Sequence, residues 1–197
     1  PAGRAASAEA TLKLDKLTLA TAGGGFVVAP NVTIVGGGGN GAVAEAVLGA
    51  DAVQITAGGT GYVTAPTVTF TQPPAGGRRA TGTATVNGSG QVTGVTITDA
   101  GTGYTATPLV SFTPVGGGTG ARATTTSKVT ELHLTPADPM NPASAGGGGF
   151  TNFDPAALVN PFNINFLGGG GRVGVPVVQP TAVATGKVFD ITLDYAG

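Results

Sequence analysis

The sequence predicts an all-β protein, and three observations lead to that prediction. Short segments rich in Val, Thr and Ile alternate apolar with polar residues, as expected for strands that bury one face. Gly and Pro, 36 and 14 of the 197 residues, separate these segments and mark tight turns. No segment sustains helical periodicity. The apolar fraction, 41%, is high enough for such strands to bury a core.

A recurring turn motif defines a repeat. Each copy has two glycines flanking one residue, then an aromatic residue, then a proline four residues later, then a short β-branched strand. The glycines permit positive φ, and the proline favours extended geometry before it, so the chain leaves the turn ready to enter a strand. The three clear copies begin with Gly23–Phe26, Gly59–Tyr62 and Gly101–Tyr104, and their prolines are Pro30, Pro66 and Pro108.

A fourth, degenerate copy follows an insertion. It begins at Gly147–Phe150 and reaches its strand, Pro161–Phe166, only after several extra residues. The loop Pro136–Ala145 precedes it, and such insertions usually lie in loops on one face of a repeat protein. The predicted divisions are an N-terminal extension (1–16), three clear repeats (17–134), and a degenerate fourth repeat with an inserted loop and a C-terminal strand (135–197).

Each copy continues in the same order after its first strand. A second glycine cluster comes next, then a segment of small residues, then a short turn and a third strand. The turn Asn87–Gly90, between two alternating segments, is typical of a β-hairpin. The unit is therefore about three strands in roughly 40 residues, used four times. The predicted third strands are Val53–Ile55, Val95–Ile97, Leu132–Leu134 and Phe189–Leu193.

The order of the strands stays open at this level. Alternation gives each strand one buried face and one exposed face, but it does not say which strands are neighbours. Short antiparallel strands in four repeats are compatible with a β-sandwich, and also with a prism or a stacked solenoid.

Low charge excludes several kinds of partner. Only 10% of the residues are charged, against roughly a quarter in an ordinary soluble domain, and the net charge is −1. No basic stripe is present to neutralise phosphates, so we expect no nucleic-acid partner. No run approaches the roughly 18 apolar residues of a membrane span. A weakly charged surface does little to keep copies of the chain apart, which favours self-association.

Some residues resemble chemical motifs, but none of them predicts catalysis or a cofactor. Gly36–Gly41 contains the Gly-x-Gly-x-x-Gly spacing that binds a pyrophosphate, yet no helix pattern follows it. His133 is the only histidine and lies between two leucines, so we expect it to face away from the core rather than act as a base. The absence of cysteine excludes iron–sulfur clusters and thiolate zinc sites.

The acidic residues are scattered, and we interpret them as solvated positions on strand faces. Asp190 and Asp194 share one face of a strand, but nothing indicates two carboxylates that converge on one bond. Asp99 and Asp138 lack the dense oxygen ligands of a calcium loop. Arg78–Arg79 follows two prolines, as in a surface turn, with contact to a sulfate or sugar as the alternative. The sequence therefore predicts no catalytic residue, no cofactor and no metal ion.

The aromatic residues of the turns are expected to close the ends of the core. Each lies between the turn glycines and the strand, where a ring can cover the end of a stack of sheets. The alternative is an aromatic platform on which a ligand stacks. The four positions are Phe26, Tyr62, Tyr104 and Phe150.

Together these residues resemble a known glycine-rich β-strand repeat. The order Gly59–Tyr62, then Ala65–Phe70, then a glycine cluster and a Thr- and Ala-rich strand is similar to a repeat of phage virion and tail-fibre proteins. It is also similar to a repeat of bacterial surface and secreted proteins, including autotransporter-like adhesins and multicopper-oxidase-type chains that carry it as an accessory module. The similarity covers residues 17–134 well and 147–195 poorly. It implies an exposed structural module and brings no catalytic residue.

The residues before the first turn predict a mode of assembly. Residues 8–19 are longer than any matching strand, and the edges of antiparallel sheets accept a further strand. We expect this N-terminal strand to add to the sheet of a neighbouring copy. Head-to-tail addition gives a filament when its rotation does not close. The predicted donor-strand residues are Thr11, Leu12, Leu14, Leu17 and Leu19.

Three functional hypotheses follow. The leading one is a structural subunit of an extracellular filament or fibre, with copies of itself as partners and no enzymatic activity. The second is a phage fibre, capsid-decoration or adhesin module that binds a surface glycan. The third is an accessory domain of an enzyme. Long polymers would distinguish the first from the second.

Overall fold

The computed structural model describes residues 7–36, 42–138, 141–145, 162–172 and 174–194. Within these ranges the chain forms eleven strands and no helix, so no helix there is long and apolar enough to span a membrane. The strands are β1 (Ser7–Thr21), β2 (Asn31–Gly36), β3 (Val43–Thr60), β4 (Thr67–Phe70), β5 (Thr81–Val86), β6 (Val92–Asp99), β7 (Val110–Thr113), β8 (Thr119–Asp138), β9 (Asn141–Ala145), β10 (Phe162–Leu167) and β11 (Thr181–Asp194).

The described strands form three open antiparallel sheets, which confirms the all-β, antiparallel prediction. One sheet has the order β10-β2-β3-β8-β9, the second has the order β6-β5-β4-β7, and β1 pairs with β11 in the third. Every ladder that joins two of these strands is antiparallel. The finer prediction of a prism or solenoid of four repeats stays a prediction.

The prediction of three separate strands in each repeat is wrong for the described residues outside the second repeat. In that repeat Asn87 closes the turn between β5 and β6, because its Oδ1 accepts hydrogen bonds from the amides of Ser89 and Gln91, each 3.0 Å long. In the first repeat the small-residue segment and Val53–Ile55 belong to one strand, β3. The strands β8 and β11 likewise fuse the corresponding segments of the third and fourth repeats.

The fusion has a physical cause in the pairing of β3 with β8. Their register runs from Val43–Thr135 to Thr60–Thr119, with three irregularities. Gly49 lies in the middle of β3 and has no positive φ, unlike Gly90 of the hairpin turn, whose φ is 70°. Because the partner strand continues past Gly49, extended backbone there retains the ladder hydrogen bonds that a turn would break.

The turn of the first repeat is hydrogen-bonded to β8 of the third repeat, and the turn of the third repeat is hydrogen-bonded to β3 of the first repeat. The amides of Phe26 and Ser127 donate to each other's carbonyl oxygens at 2.9 Å. The amides of Tyr104 and Leu48 do the same, at 3.1 and 2.8 Å respectively. The two turns thus make the same kind of reciprocal backbone contact with the two strands of the β3–β8 pair.

The first glycine of each described turn lies against the backbone of another repeat. A Cβ on Gly59, whose φ is 66°, would lie only 2.3 Å from the carbonyl oxygen of Thr119. No other residue type tolerates both that approach and that φ. The first, second and third turns therefore lie on the backbone of the fourth, third and second repeats. These contacts are Gly23 on Val178, Gly59 on Thr119 and Gly101 on Arg78.

Two clusters of buried side chains hold the sheets together. The larger combines Leu48 of β3, Phe70 of β4 and Val129 of β8 with the turn aromatics Phe26 and Tyr104. The smaller combines Leu14 and Leu17 of β1 with Ala44 of β3 and Ala184 of β11, and side chains of β2, β8 and β10 pack against it. The smaller cluster thus places the β1–β11 pair on the face of the five-stranded sheet.

Replacing the glycine at one turn contact tests this architecture. Gly59→Ala should lower the free energy of unfolding by about 2 kcal/mol or more, because the new Cβ overlaps the Thr119 carbonyl and the left-handed φ is strained. Urea unfolding measures the change. Gly88→Ala is the control, since a Cβ there meets nothing within 4 Å and should change stability by less than about 0.5 kcal/mol. Equal effects of the two substitutions would contradict the contact.

Candidate functional site: the pair formed by the first and last strands

The pair formed by β1 and β11 joins distant parts of the chain. Its register runs from Ser7–Asp194 to Thr21–Thr181. At the second end the Thr181 amide donates to Thr21 Oγ1 at 3.0 Å, and the two hydroxyl oxygens are 2.9 Å apart. These two residues are separated by 160 positions in sequence.

This pairing decides where the predicted donor strand lies. Leu14 and Leu17 are 1% and 7% exposed and pack in the smaller core cluster, and Leu19 packs against the larger one. For Thr11 and Leu12 the structure describes only backbone pairing, which is also with β11. The strand therefore occupies a place in its own chain that sequence patterns did not indicate. Its addition to another copy stays a prediction.

The β1–β11 pair has the same register as the β5–β6 hairpin. Each pair has a register shift at its final position, next to Thr21 in one and next to Asp99 in the other. The strand β1 thus has the position in the fourth repeat that β6 has in the second repeat. Unlike β6, it is not joined to its partner strand by a hairpin. The corresponding pairs are Leu17–Ala184 with Val95–Ala84, Thr18–Val183 with Thr96–Thr83, and Leu19–Ala182 with Ile97–Gly82.

The turns that follow β1 and β6 also make the same backbone contacts. The amides of Gly24 and Val178 donate to each other's carbonyl oxygens at 2.8 and 3.0 Å. The amides of Thr102 and Arg78 do so at 2.9 Å in both directions. The correspondence between β1 and β6 therefore extends beyond the strands into the turns.

The two turn tyrosines are buried and hydrogen-bonded to the strands beneath them. The hydroxyl of Tyr104 accepts a hydrogen bond from the Ala80 amide at 3.0 Å and donates to the Thr71 carbonyl at 2.9 Å. The hydroxyl of Tyr62 accepts from the Ala121 amide at 3.3 Å. Both residues are 3% exposed, so their rings lie in the interior and present no face to a ligand.

The first repeat replaces this hydrogen bond by an apolar match. A Cβ on Gly23 would lie 2.6 Å from the nitrogen of Pro180, which therefore stands where the amides of Ala80 and Ala121 stand in the other two contacts. Proline has no N–H, and the buried aromatic here is Phe26, which has no hydroxyl. Neither residue leaves a buried polar group unpaired.

This match was missed at the level of sequence, although its signal was present. The aromatic residue differs among the copies, Phe in the first and Tyr in the second and third, and only the fourth small-residue segment, which starts at Thr181, is directly preceded by proline. Nothing local connects the two differences, because the residues meet only through the fold. Phe150, the fourth predicted aromatic, lies outside the described residues.

A charged cluster on β8 lies beside the turn of the third repeat. Glu131 accepts a hydrogen bond from the Thr102 hydroxyl at 2.9 Å, and its other oxygen lies 2.9 Å from His133 Nε2. The bond with His133, and then that with Thr102, lowers the pKa of Glu131 below its ordinary value of 4.5. The three side chains border an open cavity of about 290 Å³. His133 is exposed to solvent.

The other positions that resemble chemical motifs have different surroundings in the described part of the chain. No group of three or more His, Cys, Asp or Glu side chains there could hold a metal ion. The glycine spacing at 36–41 leads into the strand β3 instead of a helix, which removes the context that a dinucleotide site needs. Arg78, in the predicted surface turn, pairs with Asp99. The side chains of Asp138, Asp190 and Asp194 lie outside the described ones.

No protein-family model, curated protein or solved structure matches the chain. The resemblance to glycine-rich repeats of virion and surface proteins therefore stays an expectation from the residues.

Removing one turn hydroxyl tests the role of the buried tyrosines. Tyr104→Phe should lower the free energy of unfolding by about 1–3 kcal/mol, because the buried Ala80 amide and the Thr71 carbonyl lose their partner. Urea unfolding provides the measurement. Tyr62→Phe should cost less, since its single hydrogen bond is longer. A neutral Tyr104→Phe, or the opposite ranking, would count against this account.

The Glu131 cluster predicts a pH dependence with a definite sign. A carboxyl whose folded-state pKa is lowered stabilises the fold above its unfolded-state pKa, and that contribution disappears as the pH falls through the lowered value. Glu131→Gln should therefore flatten the stability profile below about pH 4.5 and change its shape little above pH 6. The effect is small, because both side chains are about half exposed.

The measurement for this cluster is urea unfolding at a series of pH values. His133→Ala is the companion variant, because it removes the hydrogen bond that contributes most to the lowered pKa of Glu131. It should flatten the same part of the profile. Profiles of both variants that parallel the unaltered protein would refute the assignment.

Proposed function

We propose that the chain is a structural subunit of an extracellular filament or fibre whose copies associate by strand addition. The β1–β11 pair is the observation that carries the proposal. No hairpin joins β1 to β11, whereas β5 and β6 are separated only by residues 87–91. The backbone hydrogen bonds of such a pair are the same whichever copy supplies the strand. A second copy's β1 therefore fits the place that β1 occupies.

The surface is suited to association between copies. The net charge is −1 and only 10% of residues are charged, so like-charge repulsion between copies is weak. Large apolar side chains are exposed, including Val63 at 82% and Leu109 at 74%. Burying such side chains between copies would add to the free energy of strand pairing.

Sheet borders supply further places for contact. In the four-stranded sheet β6 and β7 lie at the borders, and border strands carry backbone groups available for pairing. The extracellular location is supported by the resemblance of the repeats to those of virion and bacterial surface proteins.

Glycan binding, the second hypothesis, has less support. Aromatic rings would be the natural stacking surfaces for a sugar in this motif, but Phe26, Tyr62 and Tyr104 are buried. Their contacts are with the backbone of neighbouring repeats, which favours assembly and internal packing over ligand binding. In this proposal the chain carries no catalytic residue.

Sedimentation velocity and negative-stain electron microscopy of the purified protein test the proposal over a range of concentrations. We expect long polymers whose length increases with concentration. Because the surface carries little charge, their formation should change little between low and high salt. Monomers or closed trimers at every concentration would contradict the proposal and favour the phage-fibre, capsid-decoration or adhesin hypothesis.

A further inference from the structure

The N-terminal segment, Ser7–Gly36, contacts the last repeat at three successive places. Its strand β1 pairs with β11, and Gly24 in its turn bonds to Val178. Its strand β2 then pairs with β10 along the whole of both strands. We call Phe162–Asp194 the acceptor segment, because it supplies all three contacts.

The same three contacts occur elsewhere between segments that are neighbours in sequence. Residues 92–113 dock on residues 67–86: β6 pairs with β5, Thr102 bonds to Arg78, and β7 pairs with β4. In that case the docking segment directly follows its acceptor along the chain. The N-terminal segment and its acceptor segment are instead separated by most of the sequence. The contact between the two segments therefore does not require that they be neighbours in the chain.

From this correspondence we infer that the N-terminal segment is exchanged as one piece between copies, each docking on the acceptor segment of another copy. The inference deepens the proposed function and rests on it. Exchange loses none of the contacts between the two segments, because they are the same within one copy and between two. Concentration and the geometry of the connection then decide which form predominates. Each copy both donates and accepts, so the association is head-to-tail when a copy donates its segment to one neighbour and accepts the segment of another.

Disulfide trapping distinguishes the two forms, because the chain has no cysteine of its own. Thr18 and Val183 are exposed partners in β1 and β11, and directly opposed strand residues are close enough for a disulfide. The Thr18→Cys/Val183→Cys protein is oxidised after assembly and run on a non-reducing gel. Thr83→Cys/Thr96→Cys is the matched control, at the corresponding positions of the β5–β6 hairpin, where we expect only links within one chain.

The expected result is a ladder of covalent multimers from the Thr18→Cys/Val183→Cys protein and only monomer from the control. Disulfides confined to single chains, within polymers seen by microscopy, would overturn the exchange and leave the proposed function standing. If no polymers form, the proposed function fails. In that case covalent dimers would still establish exchange, and closed monomers would refute it.

A second measurement uses the match between Phe26 and Pro180. Phe26→Tyr puts a hydroxyl opposite a residue without an N–H, and Pro180→Ala puts a buried N–H opposite a ring without a hydroxyl. Each variant is therefore mismatched with itself. When the two are mixed, every contact exchanged between unlike variants is matched, because the altered position 26 meets the altered position 180 and the natural Phe26 meets the natural Pro180. Mixing should raise the polymer yield roughly tenfold over either variant alone. A mixture no better than its components would overturn the exchange.

Discussion

The close approach of a glycine turn to the backbone of another repeat is the contact on which the rest of this fold depends. A two-stranded sheet such as the β1–β11 pair is only marginally stable by itself. The turns join the repeats: the first turn lies on the fourth repeat, and the second and third turns each lie on the other's repeat. Each contact positions an aromatic ring in the core. Without the glycines, the backbones could not approach closely enough for those rings to be covered.

The structure uses one contact pattern in two ways. In the interior, a docking segment follows its acceptor directly, and the β5–β6 hairpin connects them. Between the first and last repeats the same register forms with no such connection. Strand pairs that need no short connection between their strands are suited to assembly, since a strand from a second chain can make the same hydrogen bonds. In the proposed filament, the contacts that pack one subunit would also join neighbouring subunits.

Local features were predictable from the sequence, and long-range ones were not. The turn glycines, the prolines and the Asn87–Gly90 hairpin depend on φ preferences and nearby hydrogen bonds, which the residues carry themselves. The fusion of two predicted strands into β3 was missed because pairing with β8 keeps Gly49 extended. The place of β1 and the match of Phe26 with Pro180 were missed for the same reason. Each depends on a contact with residues that are far away in the sequence.

The pairing of β1 with β11 has a consequence for biosynthesis. The ribosome makes the first strand before the last. The smaller core cluster therefore cannot form around Leu14 and Leu17 until Ala184 has been synthesised. Contacts between residues so far apart are expected to slow folding and to prolong the exposure of apolar surface. Until the last strand is made, this apolar surface is open to other chains, so aggregation competes with folding.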